Sequence, residues 1–154
     1  MNEQELDSNT TQYVTVVIGG QLFGIPIGKV HDVFMPESIT RVPRSENEIA
    51  GVLNLRGRIV TAIDMRRLLG LGDRDEDGIK MAVGIEYRGE SYGFIIDNVG
   101  EVLNLSDDSR EANPTNLNKN WTNISAGVHR LEGQLMVILD VEKLLGSMME
   151  RIAA

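Results

Sequence analysis

Short apolar runs separated by single glycines recur along the chain, and residues 51–64 show this pattern most clearly. The runs Val52–Leu55 and Ile59–Ile63 have the length and the β-branched content of strands. Between them, Gly57 can adopt a positive φ angle without a Cβ clash, so Arg56-Gly57 is predicted to form the tight turn of a β-hairpin. The segment is therefore predicted to be two antiparallel strands.

The same arrangement recurs near the C-terminus, where residues 126–146 align with residues 50–70 without a gap. Nine of the 21 aligned positions are identical. The identical pairs are Ala50/Ala126, Gly51/Gly127, Val52/Val128, Leu55/Leu131, Gly57/Gly133, Asp64/Asp140, Leu68/Leu144, Leu69/Leu145 and Gly70/Gly146. Residues 14–34 align similarly with residues 83–103, so we interpret the chain as an internal duplication. The second copy is longer by seven residues, which must lie within residues 106–125.

Two aligned carboxylates, Asp64 and Asp140, could be taken for a catalytic pair. Each instead occupies the same position in its own copy, between a predicted strand and a short predicted helix. A short carboxylate side chain accepts hydrogen bonds from the free N–H groups of a first helical turn. We therefore predict that both residues are helix N-caps, and that Gly70 ends the first of these helices.

Each copy is predicted to contain about five short strands followed by a short helix. A five-stranded antiparallel sheet of this length closes most easily into a small barrel, which leaves no long open edge. The sequence thus predicts an all-β protein of two pseudo-symmetric five-stranded β-barrel subdomains. The predicted boundaries are a flexible N-terminal tail at 1–12, a first repeat at 13–70, a linker at 71–79, a second repeat at 80–146 and a C-terminal helical extension at 147–154.

Composition excludes several classes of function. The net charge of −8 is unfavourable for binding nucleic acid or anionic lipid, because the phosphate contribution would be repulsive. The absence of cysteine excludes disulfides and thiolate chemistry. No apolar run reaches the roughly 20 residues of a membrane helix. Because the first residues are acidic and polar, unlike a signal peptide, we expect a cytoplasmic protein without membrane insertion.

Sites for catalysis or cofactors are not indicated. The two histidines, His31 and His129, have no serine or aspartate at a recognisable spacing, and no phosphate-binding loop is present. Residues 73–78 match the first half of a calcium loop, but the twelfth position is Gly84, which offers no side-chain ligand. We interpret this segment as a solvated acidic linker and keep a calcium site as the alternative.

The segment Asn54-Leu55-Arg56-Gly57, with Gly51-Val52 before it and Asp64 after it, resembles the signature of the CheW family of chemotaxis coupling proteins. The strands at the two ends are similar as well, so the resemblance covers about residues 13–146. It implies two five-stranded barrels, no enzymatic activity and no cofactor. It also implies that the protein couples chemoreceptor tips to the regulatory domain of the histidine kinase CheA, at receptor arrays on the inner face of the membrane.

The resemblance also suggests positions for two partner surfaces. Residues at or near the receptor-binding groove are Val30, Asp32, Val33, Arg56 and Gly57. Residues expected to be exposed and to face the kinase are Val14, Ile27 and Val30, so Val30 belongs to both sets. The counterpart of Arg56 in the second copy is Glu132, which indicates that the fold does not require arginine there. The alternative is that Arg56 is an ordinary surface charge.

Two other functions remain open from the sequence. One is a coupling protein of a non-chemotaxis array, such as one that controls surface motility. The other is a small-ligand-binding β-barrel, which would need a pocket with convergent polar groups.

Overall fold

The computed structural model describes residues 9–43, 46–72 and 80–153, with side chains described up to residue 150. Most of the predicted tail and linker, including the candidate calcium ligands at 73–78, lies outside the described residues. The strands are β1 Thr10–Ile18, β2 Gln21–Pro26, β3 Val30–Phe34, β4 Ile49–Leu55, β5 Arg58–Asp64, β6 Met81–Tyr87, β7 Glu90–Ile96, β8 Asn98–Ser106, β9 Arg110–Glu111, β10 Ser125–Leu131 and β11 Gln134–Leu139. The helices are α1 Met65–Leu69, α2 Lys119–Thr122 and α3 Val141–Ala153. Because β1 begins at Thr10, the predicted tail extends too far by three residues.

The strands form two sheets, with the orders β8-β1-β2-β11-β10-β9 and β3-β6-β7-β5-β4. Each sheet contains strands from both repeats, because β2 pairs in parallel with β11 and β7 pairs in parallel with β5. Among the described residues the outer strands of neither sheet pair with each other, so the prediction of closed barrels is wrong. The two hairpins of one repeat join different sheets, and the topology does not confirm one subdomain per repeat.

The two sheets repeat each other in register. When the repeats are aligned, the bulge in the antiparallel pair β1–β8 falls at the same position as the bulge in the pair β6–β3. The parallel pairs β2–β11 and β7–β5 also have the same register. The aligned pairings are Val14↔Val102 with Val83↔Val33, Val16↔Val99 with Ile85↔Val30, and Ile138↔Gly24 with Ala62↔Gly93. This agreement is what an internal duplication predicts, with strands exchanged between the copies.

The main hydrophobic core lies between the sheets, and each sheet also curves around a smaller cluster. Phe23 and Trp121 meet edge-to-face in the main core, with ring centroids 5.3 Å apart. Phe34, Leu53 and Val60 belong to the smaller cluster of the five-stranded sheet. Aliphatic side chains therefore cover both faces of the central strands.

The extra residues of the second repeat form β9 and α2. From α2, the buried Trp121 donates its indole Nε1–H to the carbonyl of Leu69 at 2.9 Å. This bond satisfies a polar group that would otherwise be unpaired in the core, and it attaches the insertion to the end of α1.

The helix caps match their prediction. The Asp64 carboxylate accepts from the N–H groups of Arg66 and Arg67, and Asp140 accepts from the N–H of Lys143 at 3.0 Å. Gly70 ends α1 in the left-handed conformation, with a φ of 70°. Both carboxylates are thus engaged in capping.

Helices α1 and α3 are each attached by an ion pair to a turn, the first to the turn before β8 and the second to the turn before β3. The Arg66 guanidinium contacts Asp97, next to β8, at 2.7 Å, and both side chains are largely buried. The aligned position in α3 is Glu142, which contacts Lys29, next to β3, at 2.8 Å. This hydrogen bond raises the pKa of Lys29 and lowers the pKa of Glu142. The two contacts use the same aligned helix position with reversed charges, and their partners in the turn differ by one position in the alignment.

Candidate partner-binding site

The β4–β5 hairpin presents the signature residues at an exposed tip. Arg56 and Gly57 have φ angles of 52° and 84°, the combination of a type I′ turn. The Asn54 Oδ1 accepts from the N–H of Gly57 at 3.0 Å and so stabilises this turn. Within the described part of the chain, the Arg56 side chain has no ion pair or hydrogen bond. Its guanidinium is available to a partner.

Strand β3 places its three predicted site residues in different environments. Val30 is half-buried against the main core, Asp32 is half-buried, and Val33 is 42% exposed. Adjacent residues of a strand point to opposite faces, so Asp32 and Val33 cannot present one flat surface. Val30 is therefore better placed to support the strand than to contact two partners.

One pocket joins Asp32 to the base of the hairpin. Its lining includes Asp32, Phe34, Leu55 and Arg58, although β3 and β4 are opposite edges of their sheet. The pocket has room for about one water molecule. Sheet curvature thus brings Asp32 close to the base of the hairpin, whereas the other predicted residues, Val30, Val33, Arg56 and Gly57, do not line this pocket.

Asp32 carries an unusual oxygen. Its Oδ1 is buried and has no hydrogen-bond partner among the described residues. The same oxygen occupies the space that a Cβ atom on Gly84 would take. Gly84, the candidate twelfth calcium-loop position, lies in β6, where its lack of a side chain makes room for Asp32.

The chain between β3 and β4 adds a wall beside the hairpin. Thr40 and Val52 exchange two backbone hydrogen bonds of 2.8 Å, which attach this wall to the edge of β4. Between the wall and the sheet is an open groove of about 340 Å³, lined by Glu37, Ser38 and Thr40 on one side and by β4 and Ile59 on the other.

Two strongly exposed apolar residues were not predicted from the sequence, and one of them, Ile59, lines this groove. Ile59 is 64% exposed and Met35 is 61% exposed, the highest values among the exposed large hydrophobic side chains. Strand alternation gives the signal for Ile59, because its neighbour Val60 points into the small core and Ile59 must point away. Met35 follows the end of β3, where no periodic pattern remains.

The predicted kinase-facing residues do not form one exposed surface. Val14 is only 6% exposed and belongs to the main core, so the expectation that it is exposed is wrong. The reason is that β1 lies inside its sheet, between β8 and β2, with both faces covered. Ile27, in the turn before β3, is 42% exposed.

His129 is a buried titratable group in the second repeat. It is 2% exposed, it meets the Tyr13 ring edge-to-face at 5.5 Å, and its Nε2 lacks a hydrogen-bond partner among the described residues. Burial disfavours the charged imidazolium and lowers its pKa, and the nearby Arg110 lowers the pKa further. Burial therefore favours the neutral form of His129.

The free energy of unfolding should consequently fall as the pH is lowered from about 7.5 to 5.5. The unfolded histidine takes up a proton below about pH 6.5, whereas the buried one takes it up only at lower pH, so the unfolded state binds more protons in this range. His129→Leu, which copies the aligned Leu53, should reduce this pH dependence in urea titrations. Substituting the exposed His31 with glutamine is the control, and equal effects of the two changes would contradict the assignment.

The described residues contain no cluster of three potential metal ligands. No helix in the described part of the chain is long and apolar enough to cross a membrane.

Comparison with known proteins shows that nearly the whole chain, and not only the hairpin, is similar to one family. The profile of the CheW-like domain matches residues 12–149. The chemotaxis protein CheW of Helicobacter pylori is 28% identical over 144 residues, which are 94% of this chain and 87% of that protein. CheW of Thermotoga maritima is 28% identical over 83% of each chain. The crystal structure of the scaffolding protein TtCheW from Thermoanaerobacter tengcongensis is similar with a TM-score of 0.79, at 28% identity, over 87% of this chain and 86% of that one.

Proposed function

Because this chain belongs to the CheW-like family of chemotaxis scaffold proteins, we propose that it couples chemoreceptor tips to the histidine kinase CheA. The family is non-catalytic, so the chain is a scaffold and not an enzyme. Its role is then to hold two partners in one assembly by separate surfaces. We propose the inner face of the membrane, at receptor arrays, as the place of that assembly.

The exposed hairpin tip is the observation that carries the receptor half of this proposal. The exposed Arg56 guanidinium, which has no ion pair or hydrogen bond among the described residues, offers a planar set of donors suited to carboxylates or backbone carbonyls. Gly57 leaves room for close approach beside it. Val33 adds an exposed apolar side chain, and Asp32 lies at the pocket below. We propose that Arg56 and Gly57 contact the receptor directly, that Asp32 and Val33 contribute from opposite faces of β3, and that Val30 supports the strand from the core.

Ile27 carries the kinase half of the proposal. It is exposed in the turn before β3, where the Lys29–Glu142 ion pair attaches this turn to α3. Its exposed aliphatic side chain is therefore accessible to the kinase domain. Val14 is excluded by its burial, and Val30 by its packing against the main core.

The test is direct titration of the protein with two fragments, a receptor cytoplasmic tip and the regulatory domain of the kinase, without nucleotide or added metal. We expect each fragment to bind alone and the second to bind when the first is saturating. Competition between them would contradict separate surfaces. Failure of both to bind would contradict coupling.

The structure bears differently on the two alternative functions, a small-ligand-binding barrel and a coupling protein of a non-chemotaxis array. A small-ligand barrel is disfavoured, because the two sheets are not closed barrels and the pocket between β3 and the hairpin has room for about one water molecule, while the groove of about 340 Å³ beside β4 is open to solvent. A non-chemotaxis array would use the same surfaces with another receptor. Loss of surface motility with normal swimming chemotaxis, after deletion of the gene, would favour that alternative.

A further inference from the structure

The shortest strand of the six-stranded sheet lies directly beside His129. Strand β9 consists of Arg110 and Glu111, and both residues are exposed. It forms one edge of the sheet and pairs with β10 at two positions, Val128↔Glu111 and His129↔Arg110. Because few contacts hold so short an edge strand, opening it costs much less free energy than unfolding the sheet.

The His129 side chain is enclosed on its other sides by apolar groups. It meets the Tyr13 ring, which belongs with Met136 and Ile138 to the smaller cluster of the six-stranded sheet. An imidazolium donates from both ring nitrogens, but no acceptor in the described part of the chain reaches the buried Nε2. The closed arrangement is therefore suited to a neutral imidazole and unsuited to a charged one.

The titratable groups around His129 come from β1, from β9 and from the turn before β9. Burial lowers the pKa of His129, and Arg110, directly opposite on β9, lowers it further. Asp107, in the turn, and Glu111 act in the other direction with smaller effects, and the Glu111 carboxylate is also bonded to Arg130 at 3.1 Å. Burial raises the pKa of Tyr13, so its phenol supplies no negative charge.

The first repeat shows that packing does not require a histidine at this position. Leu53 aligns with His129, is 5% exposed and packs in the smaller cluster of the five-stranded sheet. An aliphatic side chain therefore serves the same place in the fold. The second repeat has there the one side chain type whose ordinary pKa is close to neutral pH.

We propose that β9 and His129 form a proton-sensitive latch, in which β9 stays paired with β10 while His129 is neutral and is released when His129 takes up a proton. Release brings the imidazole into water, separates it from Arg110 and leaves the edge of β10 unpaired at two residues. Because the open state binds a proton more tightly than the closed state, its population rises below about pH 6.5, the ordinary pKa of a solvated histidine. The latch does not depend on the proposed function.

Amide hydrogen exchange of the full chain, measured residue by residue by NMR at pH 7.5 and 5.5, tests the latch. Each exchange rate is divided into the intrinsic rate at the same pH to give a protection factor. We expect the protection factors of the β9–β10 amides to fall several-fold at pH 5.5, and by no more than tenfold per pH unit. Amides at the ends of the β6–β7 hairpin should keep theirs, because opening there does not bring His129 into water.

Two variants assign the effect to the latch. His129→Leu, which copies Leu53, should abolish the fall in protection at β9–β10. Arg110→Gln leaves the histidine in place and keeps the test valid if His129→Leu does not fold. Without the Arg110 charge the closed state accepts the imidazolium more readily, so the ratio of protection factors between the two pH values should be smaller than in the wild type.

Three results would overturn the latch. One is unchanged protection at β9–β10 between the two pH values, even with a fall in the free energy of global unfolding, because His129 would then gain its proton only when the whole sheet unfolds. Another is a fall that persists in His129→Leu, which would assign it to a different group. The third is the wild-type ratio in Arg110→Gln, which would show that the charge opposite His129 does not act on it.

Discussion

Arg56→Glu is expected to lower the affinity for the receptor-tip fragment more than tenfold, or about 1.4 kcal/mol, and to leave the affinity for the kinase fragment unchanged. The change removes an exposed guanidinium that has no partner within the described part of the chain, and it places a carboxylate where we propose that carboxylates bind. Arg56→Ala should lose less affinity, because it removes attraction without adding repulsion. Parallel titrations of each variant with both fragments give the comparison.

The fold control for this variant comes from another hairpin. The aligned Glu132 does not have a positive φ, so the second repeat is no precedent for glutamate in the Arg56 conformation. Arg88, at the tip of the β6–β7 hairpin, has a φ of 51° and makes the same charge change possible in the same type of turn. Arg88→Glu should therefore retain receptor binding and lower the melting temperature at least as much as Arg56→Glu, because it also removes the contact of the Arg88 guanidinium with the Tyr87 ring at 5.1 Å.

Two results would contradict the role given to Arg56. Unchanged receptor affinity would show that the hairpin tip is outside the interface. A similar loss for both fragments, with a melting temperature well below that of Arg88→Glu, would show that Arg56 supports the fold.

Local features of the fold could be predicted from the sequence because each depends on a few adjacent residues. The hairpin turns follow from glycine spacing, and the caps at Asp64 and Asp140 follow from a carboxylate between a strand and a helix. The exchange of strands between the repeats could not be predicted. Closed barrels and shared sheets use the same hairpins, and only long-range pairing such as β2 with β11 distinguishes them.

The candidate site likewise has parts that could be predicted from adjacent residues and parts that depend on long-range contacts. Arg56-Gly57 is recognisable because its turn chemistry is local. The burial of Val14 depends on strands far away in sequence, and so does the position of Asp32 over Gly84. The groove beside Ile59 requires knowing that Thr40 reaches the edge of β4, and no periodic pattern in the connecting segment indicates this contact.

Gly51→Ala should be among the most destabilising single-methyl changes in the chain. Gly51 has a φ of 149°, and a Cβ atom there would fall on the carbonyl oxygen of Thr40, in the bridge that closes the groove. Backbone atoms held by two hydrogen bonds cannot move aside as a flexible side chain can. We expect a loss of about 3 kcal/mol in the free energy of unfolding, or a fall in melting temperature of roughly 6–12 °C.

The second repeat explains why this glycine is kept and supplies the control. Gly127 aligns with Gly51, and its Cβ atom would lie 2.7 Å from the carbonyl oxygen of Glu111, so both edges need the same close approach. Gly133 also has a positive φ, of 80°, but nothing lies within 4 Å of its Cβ position. Gly133→Ala should therefore cost only about 1–2 kcal/mol, for the strained backbone alone. Equal melting temperatures for Gly51→Ala and Gly133→Ala would show that the Thr40 contact yields easily. The groove wall would then be too compliant to select a partner.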